Sequence, residues 1–463
     1  MHELEAAGHA ITRVDAQVDP QFGLLSDYLA SYRTPLNSVM SAEQPLRLYR
    51  HPTRGRFPVL LGLFGSRART RFFLAPPGAS AENLSNAEIL HRAAANPLPP
   101  SQRRWPSKRN LVEEPDVRSM LPALTHTACD PGPTVTLGLV YAVDAATGVA
   151  NCSVHRITLK RASIAIAIHP RCDLQRLIDA HVARGVRLPV SVNIGMDPAI
   201  YIAGALSAPA VQFGEDELGV AGAIRARPVE IAPCYTNGAW FVDHAEIVME
   251  ATLGAEREPE SDASPCAVAA FSMPEYLGYR SPSGEASTMR VSAMSYRTDA
   301  IYQAVTGPGR EQAELLGAGQ EAALRRAMSD RGYASLVRDI VAQAAGGGHL
   351  LTVLQVSKQS SADDERARMA AEAILEDVST TKNIVLVDED VNPCSVDDVL
   401  WALSTRFRAE MDVRSTGLLR GTPLDPTQST AYSSKGADGF TNKSVIDCSV
   451  PFDLRARFRR AFA

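Results

Sequence analysis

Gly148-Val149-Ala150-Asn151-Cys152-Ser153-Val154-His155-Arg156 is the stretch on which the reading of this chain turns. It follows Thr134–Val143 (TVTLGLVYAV), rich in β-branched and apolar residues, and leads into residues 157–168 (ITLKRASIAIAI), whose end alternates in the manner of a strand. That pattern places Asn151, Ser153 and Arg156 between strands. A planar guanidinium beside an amide and a hydroxyl suits an anion, either carboxylate or phosphate. The same Asn-x-Ser pattern also serves simply to close a turn. The residues alone leave both readings open.

Length and composition bound the rest. With 463 residues the chain is long enough for two or three domains, and 45% hydrophobic with 21% charged residues is ordinary for a globular protein. A net charge of -5 carries no basic excess, which argues against a phosphate-backbone partner such as DNA. Seven cysteines, Cys129, Cys152, Cys172, Cys234, Cys266, Cys394 and Cys448, are widely spread and form no CxxC pair, the usage expected of reduced thiols in a cytoplasm. The start, MHELEAAGHAITRVD, lacks a basic region followed by an apolar run, and no segment approaches the roughly 18 apolar residues of a membrane span. A soluble cytoplasmic protein is the expectation.

Along the chain, residues 1–108 mix helical stretches (20–32 and 86–95) with a strand pair (46–49 and 59–63). Residues 96–109 (NPLPPSQRRWPSKR) hold too much Pro for a helix and read as a linker or meandering loop. From about 110 to 293, short β-branched runs broken by Gly, Pro and Asn point to a β-barrel with two inserted helices. The first spans 174–184, capped by Asp173 and stopped at Gly185; the second starts at Asp197-Pro198 and runs to about Leu206. An Ala- and Glu-rich helix over 311–329 reads as a connection between domains. Beyond His349, strands (350–356 and 384–387) alternate with helices (363–375 and 396–406), the last with Ser395 and Asp398 spaced as a capping box. That is an α/β C-terminal domain. Residues 256–264 and 344–348 read as surface loops.

Several stretches in register carry a resemblance. Asn151-x-Ser153-x-x-Arg156, Glu217-Leu218-Gly219-Val220-Ala221-Gly222-Ala223, Ala245-Glu246-Ile247-Val248, Pro274-Glu275-Tyr276-Leu277-Gly278-Tyr279 and Val399-Leu400-Trp401-Ala402-Leu403-Ser404-Thr405-Arg406, preceded by Val387-Asp388-Glu389-Asp390-Val391, together span roughly residues 20–430. They resemble the UbiD family of decarboxylases, which use prenylated FMN and include the ferulic acid decarboxylases. The resemblance implies an α+β and α/β multidomain chain. Its parts would be an N-terminal α/β domain (1–108), a central split β-barrel of flavin-reductase type that holds the cofactor (109–308), a linker helix (309–334) and a C-terminal α/β dimerisation domain with a tail (335–463). It further implies an active site between barrel and C-terminal domain, a homodimer or higher homo-oligomer, and a UbiX-like flavin prenyltransferase as cofactor supplier.

In the family an Asn, a His and a Glu bind a divalent cation, usually manganese, that clamps the flavin phosphate. Asn151 and Glu217 match; Asp173 falls where the His belongs, with Cys172 beside it in the flavin-binding set. A carboxylate is an acceptable ligand for Mn2+ or Mg2+, while Asp173 is equally the natural cap of its helix. His169, a lone histidine after a buried strand, is a second candidate for which a structural role competes. Read alone, Glu217 in the acidic run 215–217 is a solvated acid. Ser207 aligns with residues that coordinate K+ near the phosphate, and Ser153, Val154, His155 and Arg156 with residues at the flavin.

The family mechanism has the prenylated flavin add, as a 1,3-dipole, to the double bond beside the substrate carboxylate and then act as the sink for carbon dioxide loss. The resemblance gives Arg156 the carboxylate and Glu275 the proton. A second Glu, five residues before the acid, usually completes a Glu-Arg-Glu network; the residue there is Ala270. Thr422 and Leu424 match a segment that lines the substrate pocket, and Thr422 in place of an aromatic residue leaves more room and a hydroxyl. The expected reaction is the non-oxidative, reversible decarboxylation of an α,β-unsaturated or (hetero)aromatic acid. The alternative, motivated by Ala270 and Asp173, is a non-catalytic flavin-binding subunit of a larger assembly.

Overall fold

The structure, a computed structural model, describes residues 1–32, 42–75, 81, 83–261, 271–282, 284–422, 424–428, 430–432 and 437–461. It divides into two compact units. The first comprises Met1–Phe73, Ala93–Ala205 and Gln212–Gln312; the second comprises Leu74–Arg92, Leu206–Val211 and Ala313–Ala463.

The first unit is built on a closed antiparallel barrel of strands β1 (Thr134–Val143), β2 (Ala150–Leu159), β3 (Ile164–Ile166), β4 (Leu188–Ile194), β5 (Ile247–Pro259) and β6 (Glu285–Tyr296). Their order is β5-β4-β1-β2-β3-β6, and β5 pairs with β6 to close the ring, while Asn110–Glu113 extends β6 as a further strand. Closure leaves no unpaired edge within the ring. Val140, Ile157, Ile166, Val192, Met249, Leu253 and Met289 fill one apolar core. A four-stranded sheet, ordered Ile11–Val18, Leu46–Pro52, Val59–Leu61, Tyr302–Gln303, belongs to the same unit. The Pro-rich connector is not a free linker. Ser101 and Gln102 pair with Glu230 and Ile231, and Arg109 donates to the carbonyls of Ala245 (2.7 Å) and Ser295 (3.2 Å), stapling β5 to β6.

The second unit carries a five-stranded sheet in the order Val337–Ala342, Leu351–Val356, Asn383–Val387, Phe440–Asp447, Val413–Arg420, with helices Ala362–Asp377 and Val396–Arg406. Ser395 caps the latter by accepting from the Asp398 amide at 3.2 Å. The 21-residue helix Arg310–Asp330 covers the helix expected over 311–329.

Three local expectations fail. Asn151, Ser153 and Arg156 lie within β2, and the run after them breaks at Leu159, resuming as the three-residue β3. Glu256–Pro259 belongs to β5 rather than to a loop, and Ala344, Gly346, Gly347 and Gly348 are buried. Cys152, Cys172, Cys234, Cys394 and Cys448 are free, but Cys129 is disulfide-bonded, so the expectation of reduced thiols throughout does not hold.

Gly138 shows how tightly the barrel is filled. It pairs with His155 beside an irregularity in the β1–β2 register, and a Cβ there would stand 3.0 Å from Ile157 Cδ1 and 3.2 Å from Val192 Cγ1. Gly138→Val should therefore overpack the core and cost about 1–3 kcal/mol, read as a lower midpoint in urea unfolding. An unchanged midpoint would mean that the interior can yield there.

Candidate active site

β2 presents its polar residues because its neighbours set its register: Ala142 of β1 faces Asn151, Val140 faces Ser153 and Gly138 faces His155. Side chains alternate along a strand, so Asn151, Ser153 and His155 share one face and Arg156 the other. The turn before β2 closes through Asp144, which accepts from the Ala146 amide (3.0 Å) and the Thr147 hydroxyl (3.1 Å), with Gly148 at φ +75°.

On the first face, the Asn151 amide donates to Glu217 Oε1 (3.3 Å) and the Cys152 backbone amide to Oε2 (2.8 Å). Glu217 begins the helix Glu217–Arg225, is 5% exposed, and has its carboxyl pushed up to about 8, mainly by burial and further by the charges of Asp216 and Asp173. Ser153 Oγ lies 2.8 Å from His155 Nε2 and 3.0 Å from Asn151 Oδ1. It has one hydrogen to give. His155 Nδ1 meets the Ala167 carbonyl at 3.1 Å, and since a carbonyl only accepts, that nitrogen carries the ring hydrogen. Burial lowers the pKa of His155 and keeps the ring neutral, so Nε2 takes the Ser153 hydrogen and Asn151 Oδ1 is left as an acceptor.

An amide oxygen, a buried carboxylate without a counter-charge and a second carboxylate nearby are the oxygen donors a hard divalent cation takes. These residues fit such an ion and, through it, a flavin phosphate. Among the described residues no three His, Cys, Asp or Glu side chains cluster as a metal centre, so the donor set depends on the Asn151 amide.

Asp173 is not the cap it was expected to be. Cys172 occupies the N-cap position of the helix Asp173–Ala183 and makes no side-chain cap bond, while Asp173 is the first helical residue and accepts from Arg176 Nη1 at 3.3 Å. Its carboxylate is therefore not committed to backbone amides. Asp197, by contrast, caps as expected, accepting from the Ala199 amide at 2.9 Å, and its helix ends at Ala203.

On the other face, Arg156 donates through Nε and Nη2 to both oxygens of Glu260 (2.8 and 2.9 Å) and through Nη1 to Glu275 Oε1 (2.5 Å). The three side chains are only 22%, 3% and 15% exposed. Burial lifts the Glu275 carboxyl above its ordinary value and Glu260 adds to the effect, together outweighing Arg156, which pulls it down. Arg156 is itself shifted up: its two carboxylates outweigh desolvation. Glu275 sits in a tight turn in which its amide donates to the Tyr279 carbonyl and the Gly278 amide returns to its own carbonyl, both at 2.8 Å, with Gly278 at φ +82°.

Glu260 is the residue that spacing arguments missed. The second carboxylate was sought five residues before Glu275, at Ala270, which lies outside the described residues. Glu260 fills that role from the end of β5. The signal was in the chain: Glu260 directly follows β5, the strand that starts within Ala245-Glu246-Ile247-Val248. In the second unit, Ser207 is exposed, Thr422 is 7% exposed with its carbonyl held by Gln428, and Leu424 is half-buried.

Two family models match the chain. Residues 101–311 match the 3-octaprenyl-4-hydroxybenzoate carboxy-lyase Rift-related domain of UbiD, and residues 313–448 match its C-terminal domain. The chain belongs to the UbiD family of carboxy-lyases. It is 30% identical to a gallate decarboxylase of Lactiplantibacillus plantarum over 96% of its own length and 92% of that protein. The apo 3,4-dihydroxybenzoic acid decarboxylase of Enterobacter cloacae superposes with a TM-score of 0.88 at 32% identity, covering 99% of this chain and 95% of that one. HmfF of Pelotomaculum thermopropionicum, a UbiD-class enzyme solved with FMN, superposes with a TM-score of 0.82 at 27% identity, covering 99% and 95%. An evolved dimeric form of HmfF was solved with prFMN. This UbiD-family chain is a decarboxylase of the flavin-dependent class with a mixed α+β, multidomain fold, and no helix among its described residues is long and apolar enough to cross a membrane.

The trio yields a direct test. Glu260 raises the Glu275 carboxyl and shares Arg156 with it, so Glu260→Gln should lower the Glu275 pKa by about one unit or more. A 13C NMR titration of labelled Glu275 reads this. No change, or a rise, would mean that the two carboxylates are not coupled.

Proposed function

We propose that the barrel holds prenylated FMN with a divalent cation, Mn2+ or Mg2+, and that the enzyme decarboxylates a (hetero)aromatic or α,β-unsaturated acid non-oxidatively and reversibly. Hydroxylated benzoic acids are the favoured class. The observation that carries this reading is Arg156 forked between Glu260 and Glu275 in a chain that aligns over nearly its whole length with decarboxylases of gallate and dihydroxybenzoate.

Prenylated FMN, when bound, supplies the sink for the electrons left as carbon dioxide departs. The chain does the rest. Asn151, Glu217 and Asp173 hold the cation, with Ser153, Val154, His155, Cys172 and, beside K+, Ser207 around the flavin. Arg156 binds the substrate carboxylate and so fixes the bond to be broken. Glu275, raised by burial, keeps its proton nearer to neutrality and delivers it to the carbon from which carbon dioxide has left. The carboxylate that remains is received by Arg156. Thr422 and Leu424 are assigned to the substrate pocket on their family match alone. The domain plan of 1–108, 109–308, 309–334 and 335–463, a homodimer formed through the last, a UbiX-like prenyltransferase as supplier and a cytoplasmic location complete the proposal.

Glu275→Gln should lower turnover by about two to four orders of magnitude while flavin occupancy stays intact, and Arg156→Ala should remove both turnover and substrate binding. The assay is carbon dioxide release from gallate, 3,4-dihydroxybenzoate and cinnamate by protein co-expressed with a flavin prenyltransferase. Near wild-type release by Glu275→Gln would place the proton donor elsewhere, and colourless, metal-free protein from that co-expression would sink the cofactor assignment.

The cation can be tested without turnover. Burial pushes the Glu217 carboxyl up to about 8, and it must lose its proton to become a ligand. Below that value, Mn2+ added to cofactor-free protein should release a proton; well above it, none. Asp173→Asn should bind Mn2+ more weakly, because the amide brings no charge. Equal affinity would remove Asp173 from the site, and the absence of proton uptake or release at any pH would remove Glu217.

A further inference from the structure

Arg156 lies in β2 and Glu260 just past the end of β5, two strands that do not pair. β2 and β5 are separated by β3 and β6 on one side of the ring and by β1 and β4 on the other. The ladders through β3 and β6 carry the register as far as the pairing of Pro259 with Glu285 and stop short of Glu260. Glu260 itself has left β5, and its amide makes one backbone bond, to the Gly284 carbonyl at 3.0 Å.

A second bridge crosses the same gap. Lys160, one residue beyond β2, donates to Glu258 Oε2 (2.9 Å) and to the Pro259 carbonyl (2.8 Å), and Ser163 donates to that same Oε2 (2.7 Å). Lys160 is 8% exposed. Both cations come from the end of β2 and both carboxylates from the end of β5. Two ion pairs thus tie the same two strand ends, and the Lys160 pair grips the two residues immediately before Glu260. A buried pair of this kind adds little net stability, because desolvation offsets its attraction; its strength lies in fixing geometry.

We propose that Lys160, acting through Glu258 and the Pro259 carbonyl, is a positioning residue that holds Glu260 against Arg156 and so governs how firmly Arg156 grips Glu275. This rests on the reading of Glu275 as the proton donor. Glu275 is faced by Arg156 from β2 and by Glu260 from the end of β5, with the Tyr276 amide in its own turn. If Glu260 slips, the fork of Arg156 passes to Glu275, the ionised form of Glu275 gains a partner, and the proton is less available near neutrality.

The test uses holoenzyme from co-expression, with 3,4-dihydroxybenzoate as substrate, and four variants: Lys160→Met, which keeps the apolar stem, Lys160→Arg, Glu258→Gln and Glu275→Gln. Lys160→Met and Glu258→Gln are each expected to lower kcat about ten- to a hundredfold and to move the descending, high-pH limb of kcat down by about one unit, with Lys160→Arg restoring both. A lower kcat with the limb unmoved would show a merely structural role and overturn the proposal, as would unchanged kcat and limb in folded Lys160→Met or Glu258→Gln. A second measurement does not depend on turnover: in cofactor-free protein, 13C NMR of labelled Glu275 should show its pKa lowered in Lys160→Met. An unmoved titration overturns the proposal even if Glu275→Gln retains turnover, a result that would by itself count only against Glu275 as the proton donor.

Discussion

Arg156 must serve two carboxylates at once, and the cost of leaving any of the three charges buried and unpaired constrains everything around it. Breaking such a pair by removing one partner costs about 3–5 kcal/mol, because the other charge stays desolvated. One guanidinium between Glu260 and Glu275 leaves one negative charge in excess. Burial and that excess charge together raise the Glu275 carboxyl above its ordinary value. The trio comes from three stretches: β2, the end of β5, and the turn between the paired strands Phe271–Pro274 and Arg280–Pro282. Only a sheet closed on itself brings the first two together without making them neighbours.

The same strand carries a second, separate chemistry on its other face. The chain from the Ala167 carbonyl through His155 ends on Ser153, and beside it Asn151 reaches Glu217. A one-residue slip of β2 would exchange the two faces, sending Arg156 toward Glu217 and Asn151 toward Glu260 and Glu275. The pairing of Ala142, Val140 and Gly138 with Asn151, Ser153 and His155 forbids that slip. The Asn151–Glu217 cluster and the Arg156 trio are thus separated by the pleat of one strand rather than by distance along the chain.

How far the sequence discloses this differs from residue to residue. Thr134–Val143 reads as a strand because its apolar run is continuous, and Val396–Arg406 reads as a helix because Ser395 and Asp398 mark its start; both boundaries match the structure. Ala150–Leu159 does not read as a strand. Asn, Ser, His and Arg have weak strand preference, and here their pairing is set by β1 on one side and β3 on the other. Asp173 looked like a cap because Asp commonly is one, yet the helix begins at Asp173 and leaves Cys172 in the capping position. Glu260 is the instructive case. A motif records separation along the chain, whereas a guanidinium needs separation in space, and Glu260 precedes Glu275 by fifteen residues where the motif has five.

Glu260 also changes the weight of the alternative function. A flavin-binding subunit without catalysis was suggested by a missing carboxylate beside Arg156, and that carboxylate is present. A protein that only bound flavin would need Asn151, Glu217 and their neighbours, but nothing in that task calls for a second carboxylate, 3% exposed, bonded through both oxygens to an arginine on the opposite face of the strand. Two carboxylates sharing one guanidinium titrate as a pair, with the proton's affinity belonging to both. Such a pair has use where a proton must be held near neutral pH and then surrendered, which is the demand that carbon protonation makes after carbon dioxide has gone.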